Sequence, residues 1–311
     1  MRAIGLRRFG DPDVLEVIDR PLPVPGPGEL RIKVAAAAVN PTDLMLRGGL
    51  LAPYLTGLDA PYTPGMDASG TVDAVGADVD LAPGQQVVAF VNPLRPEGGA
   101  QAEYVVVPRD QAARWPKPSS LVAAGGLPMN ALTAHEALAL LSLPSGAVLG
   151  VTGSAGALGG YVIELAKQRG LRVVADAAPH DRELVHALGA DMVVDRGPDV
   201  ADRFREAAPA GLHGLVDAAV LGAPVLGAVR DGGGYVKCRP YELTTERDIS
   251  ILQVNVAGYA PKRPALEELV ELAATGRLTL RSAALLPPQD APTAHRRLAA
   301  GGVRGRHLIT F

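Results

Sequence analysis

The chain predicts an α/β fold: a doubly wound parallel sheet joined to a mostly β, barrel-like domain that the C-terminus completes. Two observations carry that reading. Up to about Trp115, short alternating or apolar runs stand between glycines and prolines, with few helical stretches to separate them. From Pro118 onward, apolar segments of strand length alternate with helix-like segments, as parallel strands joined by crossover helices require.

Taken in order, the strand candidates of the first stretch are Val14–Ile18, Leu30–Val34, Gly70–Val75, Gln86–Phe90 and Ala102–Val107. A long helical pattern then runs from Leu121 through Leu141. Next come the apolar run Ala147–Val151, a glycine-rich turn and a helix-like Tyr161–Ala166. The strands Leu171–Ala175, Asp191–Val194, Gly214–Ala218 and Gly234–Cys238 follow, with helix-like segments between them. Beyond about Gly258 the pattern gives a helix over Pro264–Thr275, a strand over Leu278–Arg281, a helix over Gln289–Ala300 and a last strand, Arg306–Phe311. That strand is too short and isolated to form its own unit, so it is expected to return to the first domain. The predicted boundaries are 1–118, 119–258 and a return segment, 259–311.

A chain of 311 residues is long enough to bury two cores. A net charge of -3 gives no electrostatic footprint for nucleic acid. The single cysteine, Cys238, excludes a disulfide framework and a cysteine-based structural zinc site, and fits a reducing cytoplasm. Met1–Arg8 lacks the apolar run of a signal peptide, and no window approaches the ~20 apolar residues of a membrane span. The expectation is a soluble cytoplasmic protein that binds neither nucleic acid nor membrane.

The turn itself suggests a ligand. Gly153, Ser154, Ala155, Gly156, Ala157, Leu158 and Gly159 join a strand to a helix N-terminus. Small residues let the backbone approach a dinucleotide pyrophosphate, and the unpaired N–H groups and dipole of the helix favour its charge. The next strand ends at Asp176, about 20 residues past the glycines, where a carboxylate binds ribose hydroxyls. Such a carboxylate repels a 2′-phosphate, which favours NADH over NADPH. His180 or Arg182 stands ready for the phosphate if Asp176 points elsewhere.

The chain resembles the medium-chain dehydrogenase/reductase superfamily, specifically its zinc-independent quinone oxidoreductase and enoyl reductase branch. The resemblance covers nearly the whole chain. It rests on Phe9-Gly10-Asp11-Pro12-Asp13-Val14-Leu15-Glu16, Val39-Asn40-Pro41-Thr42-Asp43 and Pro64-Gly65-Met66-Asp67-Ala68-Ser69-Gly70-Thr71-Val72, leading into Val75-Gly76. Leu132-Thr133-Ala134, the glycine turn, Leu188-Gly189-Ala190-Asp191 and Asp231-Gly232-Gly233-Gly234 complete it. It implies a Rossmann domain beside a GroES-like barrel, a homodimer formed through strands near Ile249–Val256, and a cofactor lying between the domains. The zinc-dependent relatives place a cysteine and a histidine where this chain has Asn40 and Met66. Neither is a competent zinc ligand, so no metal is expected. The implied activity is hydride transfer from NAD(P)H to a quinone or an α,β-unsaturated carbonyl. An enoyl reductase acting on a biosynthetic thioester or polyketide intermediate, and a nucleotide-binding protein without turnover, are the alternatives.

By the same resemblance, Asn40, Tyr54 and Thr133 surround the nicotinamide. Tyr54 is the proton-donor candidate, because a phenol within reach protonates an enolate carbon or hydrogen-bonds a quinone oxygen. Each residue also has a structural reading. Asn40-Pro41 suits a helix N-cap, Tyr54 and Tyr62 suit packing, and a helical Thr133 bonds back to its own turn. Gly232 and Gly233 are expected beside the nicotinamide ribose, and Asn255 at the carboxamide. His135 is read as packing and Cys238 as a small buried hydrophobe. The loops 48–60 and 239–247 are expected to line the acceptor pocket.

Overall fold

The computed structural model describes residues 1–117, 120–245, 247–259 and 262–311; the boundary expected at 118/119 falls outside them. Two compact units emerge, Met1–Met129 with Pro261–Phe311, and Asn130–Ala260. Among the described residues no helix is long and apolar enough to cross a membrane.

The first unit opens with β1 (Arg2–Leu6) and β2 (Leu15–Asp19), an antiparallel pair. β3 (Glu29–Ala38) follows, then α1 (Pro41–Arg47), β4 (Asp67–Val75), β5 (Gln86–Phe90), β6 (Tyr104–Pro108) and β7 (Ala112–Arg114). β3 is the organising strand. Its Leu30, Ile32 and Val34 alternate into the core with Ala68, Val72, Val87, Val105 and Val107, as the period of two dictates. The helix expected over 121–141 is broken in two. α2 (Leu121–Ala124) stops at Gly125-Gly126, and α3 (Pro128–Leu141) starts afresh on a proline. A side chain at Gly125 would put its Cβ 2.9 Å from the Ala36 carbonyl oxygen, so β3 passes too close for any other residue there.

The second unit continues with β8 (Val148–Thr152), α4 (Ala157–Gln168), β9 (Arg172–Ala177), α5 (Arg182–Ala187) and β10 (Met192–Asp195). It then adds α6 (Val200–Ala207), β11 (Leu212–Asp217), α7 (Ala223–Leu226), β12 (Val229–Lys237) and β13 (Ser250–Gln253). All six strands are parallel, in the order β10-β9-β8-β11-β12-β13, the doubly wound order of dinucleotide-binding sheets. The strands therefore end together, placing Thr152, Asp217, Lys237 and Gln253 along one edge. A core of Val174, Phe204, Leu212, Leu215, Val225 and Tyr235 lies beneath the helices on one face.

The chain then returns to the first unit through α8 (Lys262–Ala274), β14 (Ser282–Leu286), α9 (Ala291–Ala300) and β15 (Arg306–Ile309). The strand expected at Leu278–Arg281 forms four residues later. Leu278 turns inward, 1% exposed, its N–H on the Leu272 carbonyl; the Arg281 carbonyl accepts the Arg306 N–H. Ala283–Leu286 carries little strand signal of its own, and pairing with β15 makes it one. β15 lies parallel to β14 and antiparallel to β3, with Leu308 opposite Ala38, so the last strand does complete the first unit's sheet, ordered β14-β15-β3-β4-β5-β7.

Candidate active site

The glycine turn follows β8 directly. Gly153 adopts φ +64°, in the left-handed region, and packs its α-carbon against the Ala218–Ala219 backbone. A Cβ on Gly159 would meet the Gly153 carbonyl oxygen at 2.4 Å, so α4 lies hard against the turn. Gly156 caps α4, whose first N–H groups have no acceptor within their own helix. The cradle fits a dinucleotide pyrophosphate.

Asp176 sits beside this turn, but its carboxylate is directed into it. Oδ1 accepts from the Ser154 N–H at 3.2 Å and the Ser154 hydroxyl at 3.3 Å, and the residue is 5% exposed. Burial raises its pKa against the hydrogen bonds from Ser154 and Gly153. Of the two cations expected nearby, Arg182 is engaged with Asp195 at 2.8 Å and the Val193 carbonyl at 3.1 Å, and His180 lies 3.4 Å from Asp181.

At the centre of the same sheet edge lies a hub that the sequence did not reveal. Asp217, fully buried, accepts from the Thr152 hydroxyl at 2.6 Å, the Gly222 N–H at 2.9 Å, the Tyr241 hydroxyl at 3.1 Å and the Tyr235 hydroxyl. Burial, together with the negative charge of Asp217, pushes the Tyr241 phenol up to about 12. Burial does the same to the thiol of Cys238, also up to about 12, although the residue as a whole is half-buried rather than fully buried as expected. The hub fixes the loop between Ala218 and Gly222, where Val220 has φ +59°.

Gly232 and Gly233 are elsewhere. Both lie in the first half of β12, ahead of Gly234, which pairs with Gly214, whereas the ligand edge is reached at Lys237. That is roughly 13 Å of strand away. The expectation that they flank a nicotinamide ribose is therefore corrected: they accommodate the register shift between Leu212 and Gly214. Asn255 does lie past the correct end of β13. Its N–H donates to Glu136 Oε1 at 3.0 Å, and its side-chain oxygen accepts from the Gly258 N–H at 3.4 Å. His135 pairs Nδ1 with the Tyr259 hydroxyl at 2.8 Å, so it is more than packing. Thr133, 6% exposed, precedes these anchors on α3.

In the first unit Asn40 is the N-cap of α1, and its N–H donates to Asp43 Oδ2 at 2.7 Å. Its side chain is fully buried. Nδ2 donates to Asp67 Oδ2 at 2.6 Å, and Oδ1 accepts from Arg306 Nε at 2.9 Å. Asp67 also accepts the Met129 N–H, and Asp43 accepts the Gly65 N–H at 2.8 Å. Burial, the largest cause, lifts Asp43 to about 7 and Asp67 to about 6. Arg306 provides the countercharge. The donor set at Asn40 and Met66 is thus an amide engaged on both sides and a thioether, which does not fit tetrahedral zinc. Tyr54 stands on a short 3-10 turn, 68% exposed, its phenol without a hydrogen-bond partner among the described residues. Tyr62 packs: its ring stacks on Phe9 at 5.8 Å and its hydroxyl donates to the Leu58 carbonyl.

Comparison with known proteins agrees with this architecture. The alcohol dehydrogenase GroES-like domain family matches residues 26–117. The chloroplastic quinone oxidoreductase QR1 of Triphysaria versicolor is 35% identical over 204 residues, 63% of this chain and 61% of that protein; the chain thus spans about three fifths of that relative's length. The trans-enoyl reductase ACTTS2 of Alternaria alternata is 30% identical over 279 residues, 83% of this chain and 77% of its own. The crystal structure of an NAD-dependent alcohol dehydrogenase superposes with a TM-score of 0.89 at 30% identity, covering 100% of both chains. The chain belongs to the medium-chain dehydrogenase/reductase superfamily.

Proposed function

We propose that the protein is an NAD(P)H-dependent oxidoreductase that reduces a quinone or an α,β-unsaturated carbonyl without a metal. The glycine cradle carries this reading: β8, a turn closed to side chains at Gly153 and Gly159, and the N-terminus of α4. In this proposal the second unit holds the nucleotide and the first unit, with its return segment, presents the acceptor-side residues.

A reduced nicotinamide supplies the hydride. The acceptors named above spread the incoming negative charge over a conjugated oxygen, so they need a proton and hydrogen bonds rather than a Lewis acid. Tyr54 is the proton donor in this reading, supported by the exposure of its unengaged phenol. Asn40 holds rather than donates, because Asp67 and Arg306 occupy both ends of its amide. Thr133 orients the ring from α3. β13, the outer strand of its sheet, is where two copies pair, and the lone Cys238 suits a reducing cytoplasm.

The test is absorbance at 340 nm with NADH and, separately, NADPH, against quinones, enones and an enoyl thioester. Oxidation with a quinone or enone is expected. Silence with every acceptor, despite nucleotide binding, would leave a binding protein without turnover. Unchanged turnover of an enone by the Tyr54→Phe variant would remove Tyr54 from the mechanism.

A further inference from the structure

The return segment concentrates positive charge that hydride transfer does not call for. From Arg277 to Phe311 stand six arginines and two histidines against one acid, Asp290, in a chain whose net charge is -3. β15 divides part of this charge between its two faces. Arg306 reaches Asn40, and Leu308, on the same face, packs with Ala36, Ala38 and Val122. By the period of two, His307 and Ile309 point the other way, where Ile309 packs with Ala291 and Ala294 of α9.

On this second face, where α9 ends and β14 begins, lies a cavity of about 580 Å³. Its walls include Ser282, Arg297, Arg304 and His307, and among the described residues none of them is acidic. That volume suits a small metabolite. Arg297 is exposed, and among the described residues its guanidinium has no hydrogen bond or ion pair. A cation in the last turn suits the helix dipole, but the dipole does not account for His307. That residue is 5% exposed, and neither ring nitrogen has a hydrogen-bond partner among the described residues. Burial, then the charges of Arg297 and Arg306, hold its pKa below the usual histidine value. The ring is therefore neutral, with one donor and one acceptor unused. Leaving both unused in a dry place costs stability, which an occupant able to bond them restores.

We propose that this cavity is an anion-binding site, carried wholly by the first unit, that takes a small metabolite by its phosphate or carboxylate group. Arg297 and Arg304 meet the oxygens of the anion, for which a planar guanidinium has matched donors. His307 donates from beneath, once rotation about its soft Cβ–Cγ torsion turns the ring N–H toward the occupant. The glycine cradle belongs to the second unit, so this site neither depends on it nor competes with it.

The experiment is calorimetric titration of the intact protein with inorganic phosphate and, separately, citrate, at an ionic strength held constant with sodium chloride. At least one of the two is expected to bind. Tighter phosphate would point to a phosphate ester as the occupant, and tighter citrate to a carboxylate. Arg297→Gln should weaken binding about tenfold or more, and Gly159→Ala, which disturbs only the cradle, should leave it unchanged. His307→Leu should also weaken binding while its thermal midpoint holds or rises, a combination that a merely structural histidine would not give. Because Arg297 lies on the surface, its variant decides the question whatever His307→Leu does to folding. No binding of either anion, binding that survives Arg297→Gln, or binding that only Gly159→Ala removes would each overturn the site.

Discussion

Arg306 and Asn40 stand 266 residues apart in the chain and meet at 2.9 Å, guanidinium Nε on amide Oδ1. That contact orients the amide: with its oxygen on Arg306, its nitrogen must face Asp67. The charge of Arg306 acts on two buried carboxylates, Asp43 and Asp67. Replacing Arg306 with Met keeps the bulk and removes the charge. Urea unfolding should show a loss of about 3–5 kcal/mol, the usual consequence of stranding a buried ion. Stability equal to the wild type would show that the cation does not hold this network together.

His295 gives a pH signature. It is fully buried on α9, neither ring nitrogen has a hydrogen-bond partner among the described residues, and burial, aided by Arg47, pushes its pKa down to about 3. A depressed histidine contributes stability that is present above its unfolded value of about 6.5 and lost as pH falls toward 3. Between pH 6.5 and pH 5 the wild type should lose about 2 kcal/mol through this residue. Asp43 and Asp67 act with the opposite sign. Their raised values give stability that is full below about 3.8 and lost as pH rises through 6 and 7. In His295→Leu that loss is removed, so the fall in stability on mild acidification should be smaller than in the wild type, with the depressed His307 and His213 still contributing. Parallel pH profiles for variant and wild type would count against a buried neutral imidazole.

Val220 and Tyr241 should move stability in opposite directions. A β-branched residue at φ +59° carries about 1–3 kcal/mol of strain, more than the ~0.5–1 kcal/mol that glycine loses in chain entropy. Val220→Gly is therefore expected to raise stability by about 1 kcal/mol. Tyr241→Phe removes a donor to Asp217 and should lower it by about 1 kcal/mol. Thermal unfolding of both variants tests the pair; a drop in both would mean that the loop between Ala218 and Gly222 is not strained.

Gly159→Ala addresses the cradle. Its Cβ would lie 2.4 Å from the Gly153 carbonyl oxygen and 2.7 Å from the Ser154 α-carbon, so turn and helix must part. Affinity for 5′-AMP, followed calorimetrically, is expected to fall about tenfold or more. Unchanged affinity would place the adenosine 5′-phosphate away from this turn.

The parallel sheet was legible because its strands are continuous apolar runs with glycines at their ends, a local signal. The turn and Asp176 were legible for the same reason: strand, glycines and acid follow one another within one crossover. What the sequence hid depends on distance in the chain. Arg306 belongs to Asn40, and Tyr241 to Asp217, only after folding, and no spacing rule links them. Asp176 was found, but the direction of its side chain was not, since strand register and the Ser154 hydroxyl decide it. Gly232 and Gly233 misled because glycines beside a strand look alike at either end of it. Leu278–Arg281 misled because apolar alternation marks a strand without saying which neighbour will pair with it.

The placement of β15 has a consequence for synthesis. Residues 130–260 are contiguous and carry their whole sheet, so the ribosome delivers that unit complete. The first unit waits, for the strand that joins β14 to β3 is the last one here to be translated. With it comes Arg306, the countercharge for Asp43 and Asp67. Until then two acids and an amide on the nascent chain remain in water, where their charges are at no disadvantage. The barrel becomes a dry place for those acids only once β15 has been made.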